Sequence, residues 1–271
     1  MRMGQYRMQI DLQKCVGCSA CALACKTGNN TQARASGQTF NWADFINETF
    51  GAFPNTTWTS LPTMCNHCEN PACVRVCPVA PDAEGRKAVY KDADGIVMFN
   101  NKRCVGCRAC QRACPYSVLS TTRNSPEAKY SVISYNAKSA HAFWEDDTAV
   151  IAGCTATPKE MVENPVVAET PPNRTKWDYD DEGAEIRDIR AARTVEKCNF
   201  CAHRLANGQE PYCVAQCPAG ARLVLDPEAD DPAEFMVQKP GSRAKVDLVA
   251  PGAVTGTLKP KVYYVNDYSA R

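Results

Sequence analysis

Lys14–Gly28 reads KCVGCSACALACKTG. Cys15, Cys18, Cys21 and Cys25 fall inside it, separated mostly by small residues. The spacing C-x2-C-x2-C-x3-C returns unchanged at Cys104, Cys107, Cys110 and Cys114, followed by Pro115. Two looser copies occur at Cys65, Cys68, Cys73 and Cys77, followed by Pro78, and at Cys198, Cys201, Cys213 and Cys217, followed by Pro218. The closing C-x3-C is constant and only the middle gap widens. Sixteen of the 17 cysteines therefore form four groups of four, and Cys154 stands alone.

This spacing is the cluster-binding run of bacterial ferredoxins. A [4Fe–4S] cube has iron at alternate corners, and each iron takes one thiolate. A tight loop presents three sulfurs to one cube. The fourth cysteine leaves on a helical turn and ligates the neighbouring cube. Such groups must work in pairs. Between Cys77 and Cys104 the segment PVAPDAEGRKAVYKDADGIVMFNNKR reads as a strand at Ala88–Tyr90, a tight turn at Asp94-Gly95 and a strand at Ile96–Phe99. That hairpin joins groups two and three, and leaves groups one and four to pair with each other. Four cubes are expected. The first uses Cys15, Cys18 and Cys21 with Cys217. The second uses Cys198, Cys201 and Cys213 with Cys25. The third uses Cys65, Cys68 and Cys73 with Cys114. The fourth uses Cys104, Cys107 and Cys110 with Cys77.

Other uses of cysteine fit less well. A four-cysteine zinc site wants two C-x2-C loops and a spacer. Group four matches that pattern, whereas the other groups crowd three sulfurs on one side. Disulfides inside a C-x2-C-x2-C loop would be strained and would not explain the repeat. Cys154, in VIAGCTATP, reads as a small buried hydrophobe. His67 and His203, inside groups two and four, read as satisfied structural histidines, and His141 has no context. Lys14, Lys26, Lys102, Arg103, Arg108, Arg112, Lys197 and Arg204 lie around the motifs. They read as solvated surface, with charge compensation as the functional reading, since a thiolate-ligated cube carries roughly −2 when oxidised. Trp42, Trp58, Trp144 and Trp177 lie outside the motifs and read as core or subunit-contact anchors.

The 271 residues carry 31 basic and 30 acidic side chains, so the chain has no nucleic-acid footprint. No stretch approaches the ~20 apolar residues of a membrane span. MRMGQYRMQIDLQK lacks the apolar core of a secretory signal. There is no phosphate-binding glycine loop and no candidate triad, so no catalytic residue is named. The class expected is α+β: two pseudo-symmetric bacterial-ferredoxin-like modules with long loop insertions. Residues 1–64 plus 190–271 would hold groups one and four, residues 65–118 groups two and three, and residues 119–189 an insertion for packing or subunit docking. Trp42–Asn47 reads as a short helix. KYSVISYNAK, ARLVLD and KPKVYYVND read as strands, and HAFWEDDTAVIAGC and TPKEMVEN as weak helices.

IDLQKCVGCSACALACKTGNNT, PTMCNHCENPACVRVCP, KRCVGCRACQRACPY and EKCNFCAHRLANGQEPYCVAQCPAGAR, in that order, resemble the small iron–sulfur subunits of molybdopterin oxidoreductases, the dimethyl-sulfoxide reductase superfamily. HAFWEDDTAVIAGCTATP resembles the small subunits of respiratory arsenate reductases and of catechol dehydroxylases. The resemblance implies four [4Fe–4S] clusters on the ligands derived above. It implies a large molybdopterin-containing catalytic partner, and a quinone-reactive membrane-anchor subunit, a cytochrome or another redox partner. It also implies export with the catalytic chain to a periplasmic or outward-facing complex; a cytoplasmic complex fits the bare sequence equally. A free-standing polyferredoxin shuttle is the alternative. The aromatic-rich insertion argues against it.

Overall fold

The computed structural model describes residues 5–29, 42–118, 130–136, 193–225 and 258–266. Cys154, His141, Trp144, Trp177 and the helices expected around them lie outside the described residues.

Strand β1 (Arg7–Asp11, RMQID) is the organising element. Its period-two pattern buries Met8 and Ile10 completely. It pairs antiparallel with β10 (Arg222–Leu225), placing Ile10 opposite Arg222. On its other edge it pairs parallel with β11 (Val262–Val265), Met8 opposite Val262. Three segments distant in sequence thus meet in one sheet. The strands expected in ARLVLD and KPKVYYVND are β10 and β11.

Residues expected to form a helix at Trp42–Asn47 are instead largely strand. Here β2 (Ala43–Ala52) pairs over its whole length with β3 (Asn55–Met64). The reason is cross-strand packing, which overrides a weak local preference. Ile46 lies opposite Leu61 and Ala43 opposite Met64, all four buried. Trp42 is anchored edge-on against Phe99 at 5.6 Å.

The hairpin expected between groups two and three is present as β4 (Val89–Lys91) and β5 (Val97–Phe99). The Asp92 carboxylate accepts the Ile96 amide at 2.7 Å and closes the turn. Strand alternation makes this edge a wall between two apolar clusters. Ile96 and Met98 face the one containing Met8, Ile10 and Trp42. Val97 faces the one containing Val89, Tyr116, Ile133 and Val195. KYSVISYN supplies β7 (Tyr130–Ser131) and β8 (Ile133–Asn136). They pair with β6 (Ser117–Val118) and β9 (Thr194–Lys197) respectively. The helices are short: α1 (Ala20–Gly28), α2 (Ala72–Arg75), α3 (Ala109–Ala113), α4 (Ala202–Leu205) and α5 (Tyr212–Ala215). Among the described residues no helix is long and apolar enough to cross a membrane.

Helices α1 and α5 pack closely because Gly28 has no side chain. A Cβ there would run into the ring of Tyr212. That ring has little freedom to move, since the Arg204 guanidinium lies 4.3 Å from its centroid. In an open helix Gly→Ala stabilises by about 1 kcal/mol. Gly28→Ala should do the opposite here and lower the anaerobic thermal midpoint; an unchanged or higher midpoint would show that α1 and α5 do not need this contact.

Candidate functional site

All sixteen cysteines of the four groups are described, and all are free thiols. Local backbone chemistry explains how each loop forms. Asp11 sits four residues before Cys15, and its carboxylate accepts the Gln13 and Lys14 amides at 2.9 and 3.3 Å. Asn100 sits four residues before Cys104 and accepts the Lys102 and Arg103 amides at 3.0 and 3.2 Å. Each turn then delivers its chain into a C-x2-C loop. In all four loops the residue before the second cysteine is left-handed: Gly17 at φ 69°, His67 at 43°, Gly106 at 68° and Phe200 at 55°. Non-glycine residues there cost about 1–2 kcal/mol. His67 and Phe200 are held by stacking on each other, with centroids 3.9 Å apart, and the His67 Nδ1 accepts the Val97 amide at 3.1 Å. Both histidines weighed as structural make ring contacts, His203 with Tyr212. The second halves of groups two and four start on prolines. Pro71 and Pro211 are the N-caps of α2 and α5 and accept the Val74 and Val214 amides at 3.2 and 2.9 Å.

The structure brings the thiols together across the sequence. Cys15, Cys18, Cys21 and Cys217 line one open cleft with Phe45 and Arg222. Cys77, Cys104, Cys107 and Cys110 line a second with Val89 and Val195. Cys25 stands with Cys201, Cys198 and Cys213. The Asn29 amide links this set, its Nδ2 lying 3.6 Å from both the Cys25 and Cys201 sulfurs. Cys73 stands with Cys65, Cys114 and Cys68. In each set three thiols come from one group and the fourth is the last cysteine of another group. Among the described residues no three histidine, cysteine or carboxylate side chains close around a point fit for a single ion.

The electrostatics fit a large cationic core bound by thiolates. Burial, then the neighbouring Cys201, pushes the Cys25 thiol well above its ordinary range. Burial, then Cys65, does the same to Cys73. Burial and Cys104 push Cys110 up to about 12. Burial pushes Cys213 up to about 12, although Arg222 opposes it. Thiols crowded like this ionise only when metal binds and stabilises the thiolates. Backbone amides already point at several sulfurs: Phe200 at Cys198 (3.4 Å), Ala221 at Cys217 (3.3 Å) and Val195 at Cys104 (3.5 Å). Such contacts favour negative charge on sulfur.

The basic residues read as solvated surface divide. Arg108 and Arg204 lie half-buried over Tyr135 and Tyr212, and Lys14 and Lys102 are exposed. Lys197 departs from that reading. It is 2% exposed, and its ammonium donates to the Val97 and Cys198 carbonyls. Asn29 and Arg222 carried no sequence signal. Asn29 follows a helix end like many others, and Arg222 sits in a strand whose inward face only the β1 ladder reveals.

This site defines the chain as an iron–sulfur protein of the multi-cluster ferredoxin kind. The profile "4Fe-4S dicluster domain" matches residues 56–140 and 183–226, and "4Fe-4S binding domain" matches residues 8–29. The chain is similar to the arsenate respiratory reductase iron–sulfur subunit of Shewanella sp. (strain ANA-3), 38% identical over 271 residues, covering 100% of this chain and 99% of that one. It is similar to a selenate reductase subunit of Mesobacillus selenatarsenatis, 31% identical over 96% of this chain and 72% of that one. A tetrathionate reductase subunit of Salmonella typhimurium is 31% identical over 82% of this chain and 58% of that one. The chain belongs to the iron–sulfur subunits of molybdopterin oxidoreductases. It carries [4Fe–4S] clusters, four being typical of the family, and relays electrons for a molybdopterin catalytic partner.

Gly106 gives a direct test of the loop geometry. Its φ is 68°, and a Cβ would strike the Arg193 carbonyl oxygen. Gly85, at φ 76°, has open space around it. Gly106→Ala should lower bound iron by about one cube, four irons per chain, while Gly85→Ala leaves iron content unchanged. Iron and acid-labile sulfide assays on anaerobically purified protein check both.

Proposed function

We propose that each gathered set of thiols ligates one cube: Cys15, Cys18, Cys21 and Cys217; Cys25, Cys198, Cys201 and Cys213; Cys65, Cys68, Cys73 and Cys114; Cys77, Cys104, Cys107 and Cys110. The observation that carries this reading is Asn29, whose amide reaches sulfurs of two groups 172 residues apart. When bound, the clusters supply one-electron exchange. The chain's own residues hold them in a row and keep water out. Cys21 of the first set neighbours Cys213 of the second. Cys198 of the second neighbours Cys65 of the third. Cys110 of the fourth neighbours Cys114 of the third. The thiols of the second set are all buried, whereas Cys18 and Cys107, in the first and fourth, are exposed. The row therefore starts and ends at the surface.

Two pseudo-symmetric modules account for this order. Groups one and three share C-V-G-C and an Asp or Asn turn four residues earlier. Groups two and four share C-N-aromatic-C and P-x-C-V-x2-C-P, with His67 and Phe200 at equivalent places. Each module takes one group of each kind: residues 1–64 with 190–271, and residues 65–118. Residues 119–189 are the insertion for packing or partner docking. One end of the row would meet the catalytic chain, and the other a quinone-reactive anchor or a cytochrome. An outward-facing, co-exported complex is the location that fits partners of this kind. The free-standing shuttle is disfavoured by similarity to the arsenate reductase subunit over the full length of both chains.

Cys25→Ser should impair the cube otherwise supplied by group four. Redox-monitored EPR should show that signal altered, with the signal of the Cys15 set retained; alteration of the Cys15 signal alone would refute the crossed ligation. Native purification should bring down a much larger molybdenum-containing chain. Recovery only as a stable, monodisperse monomer would refute the subunit reading.

A further inference from the structure

Arg222 is 2% exposed. Among the described residues its Nη1 has only thioethers for partners, Met64 Sδ at 3.3 Å and Met8 Sδ at 3.9 Å. Its Nη2 has no hydrogen-bond partner among the described residues. Burying a guanidinium without a counter-charge costs several kcal/mol, so this placement needs an anion nearby. The β10–β1 ladder fixes where the side chain can go, since Arg222 stands opposite Ile10 on the buried edge of the sheet. It lines the Cys15–Cys217 cleft. It also acts electrostatically on Cys21 and Cys15 of the first set and on Cys213 of the second. The two sets share one buried positive charge.

We propose that Arg222 is a positioning residue that sets the reduction potentials of the first and second clusters together. The inference rests on the ligand sets proposed above. Reduction adds one electron, and so one negative charge, to a cluster. A fixed cation shielded from water favours that charged state at both neighbours. A guanidinium suits the place because it keeps its charge when buried and its planar fork spreads that charge toward both sets. The thioethers contact it without neutralising it. A carboxylate in their place would cancel the effect.

The test is Arg222→Met and Arg222→Gln, with Arg222→Lys as the charge-keeping control, in the full chain purified anaerobically with its partner. Potentials are read by redox-monitored EPR, and iron is counted. In the neutral variants both signals assigned to the first and second sets should move to more negative potential. The shift should be at least tenfold in the reduction equilibrium, about 59 mV for one electron. The third and fourth should stay, and Arg222→Lys should recover most of the shift. If the neutral variants fail to load these two clusters while Arg222→Lys loads them, charge at this point is again what is required. Four loaded clusters with unmoved potentials overturn the proposal and leave the ligand sets standing. Failure of all three variants to load also overturns it, because packing and not charge would then be the role. Shifted signals that exclude the one altered by Cys25→Ser overturn the ligand sets and the proposal with them.

Discussion

Thiolates repel one another, and a protein interior makes that repulsion severe. Sixteen thiols in four tight sets, nine of them buried, hold together as neutral groups or around inorganic cations. Wherever a thiol among them departs from its ordinary proton affinity the change is upward, with burial first among the causes. The free energy of cluster binding is therefore also folding free energy. The apolar clusters are small and themselves include cysteines, Cys21, Cys25, Cys65, Cys198 and Cys213 in one and Cys73 and Cys110 in the other. Removing the inorganic cores would take away the centres around which both clusters are arranged.

The short strands and helices follow from that demand. A C-x2-C loop needs a left-handed residue before its second cysteine, and two means of obtaining one are used. Gly17 and Gly106 adopt it without steric penalty. His67 and Phe200 are forced into it and compensated by their mutual stacking. The second means ties group two to group four at the place where Cys65 neighbours Cys198. A local backbone requirement has thereby become a contact between remote segments. Lys197 reinforces the same junction from β9, binding the carbonyls of Val97 and Cys198.

Much of this was legible in spacing. Cysteine positions carry their chemistry with them, so [4Fe–4S] binding and the hairpin between groups two and three could be read before any coordinates. Strands β10 and β11 were legible because short runs of β-branched and aromatic residues bounded by Gly or Pro have few alternatives. The β2–β3 hairpin was not legible. ADFINETFGA has no clean alternation, and its partner NTTWTSLPTM carries a proline and polar residues. Only the ten-residue register and the anchoring of Trp42 on Phe99 make it a strand. Strand β1 escaped for a related reason: RMQID is too short to declare itself until β10 and β11 flank it. Arg222 and Lys197 illustrate the general limit. A charged residue in a strand has a face, but the face is assigned by the neighbouring strand and not by the residue.

The distribution of exposure argues for conduction over storage. A protein that merely held iron would gain by burying every set equally against water and oxygen. Here the second set is wholly enclosed while Cys18 and Cys107 reach the surface in identical C-V-G-C loops. The valines beside them, Val16 and Val105, are 55% and 67% exposed. Desolvating the thiols of those loops completely would raise the cost of placing charge there, and it would also move the outermost sulfurs away from any partner. Leaving one cysteine of each terminal set at the surface keeps electron exchange with another protein possible, and the enclosed second set between them keeps the middle of the passage dry. The exposed valines give such a partner an apolar surface to cover, which would complete the exclusion of water at each end.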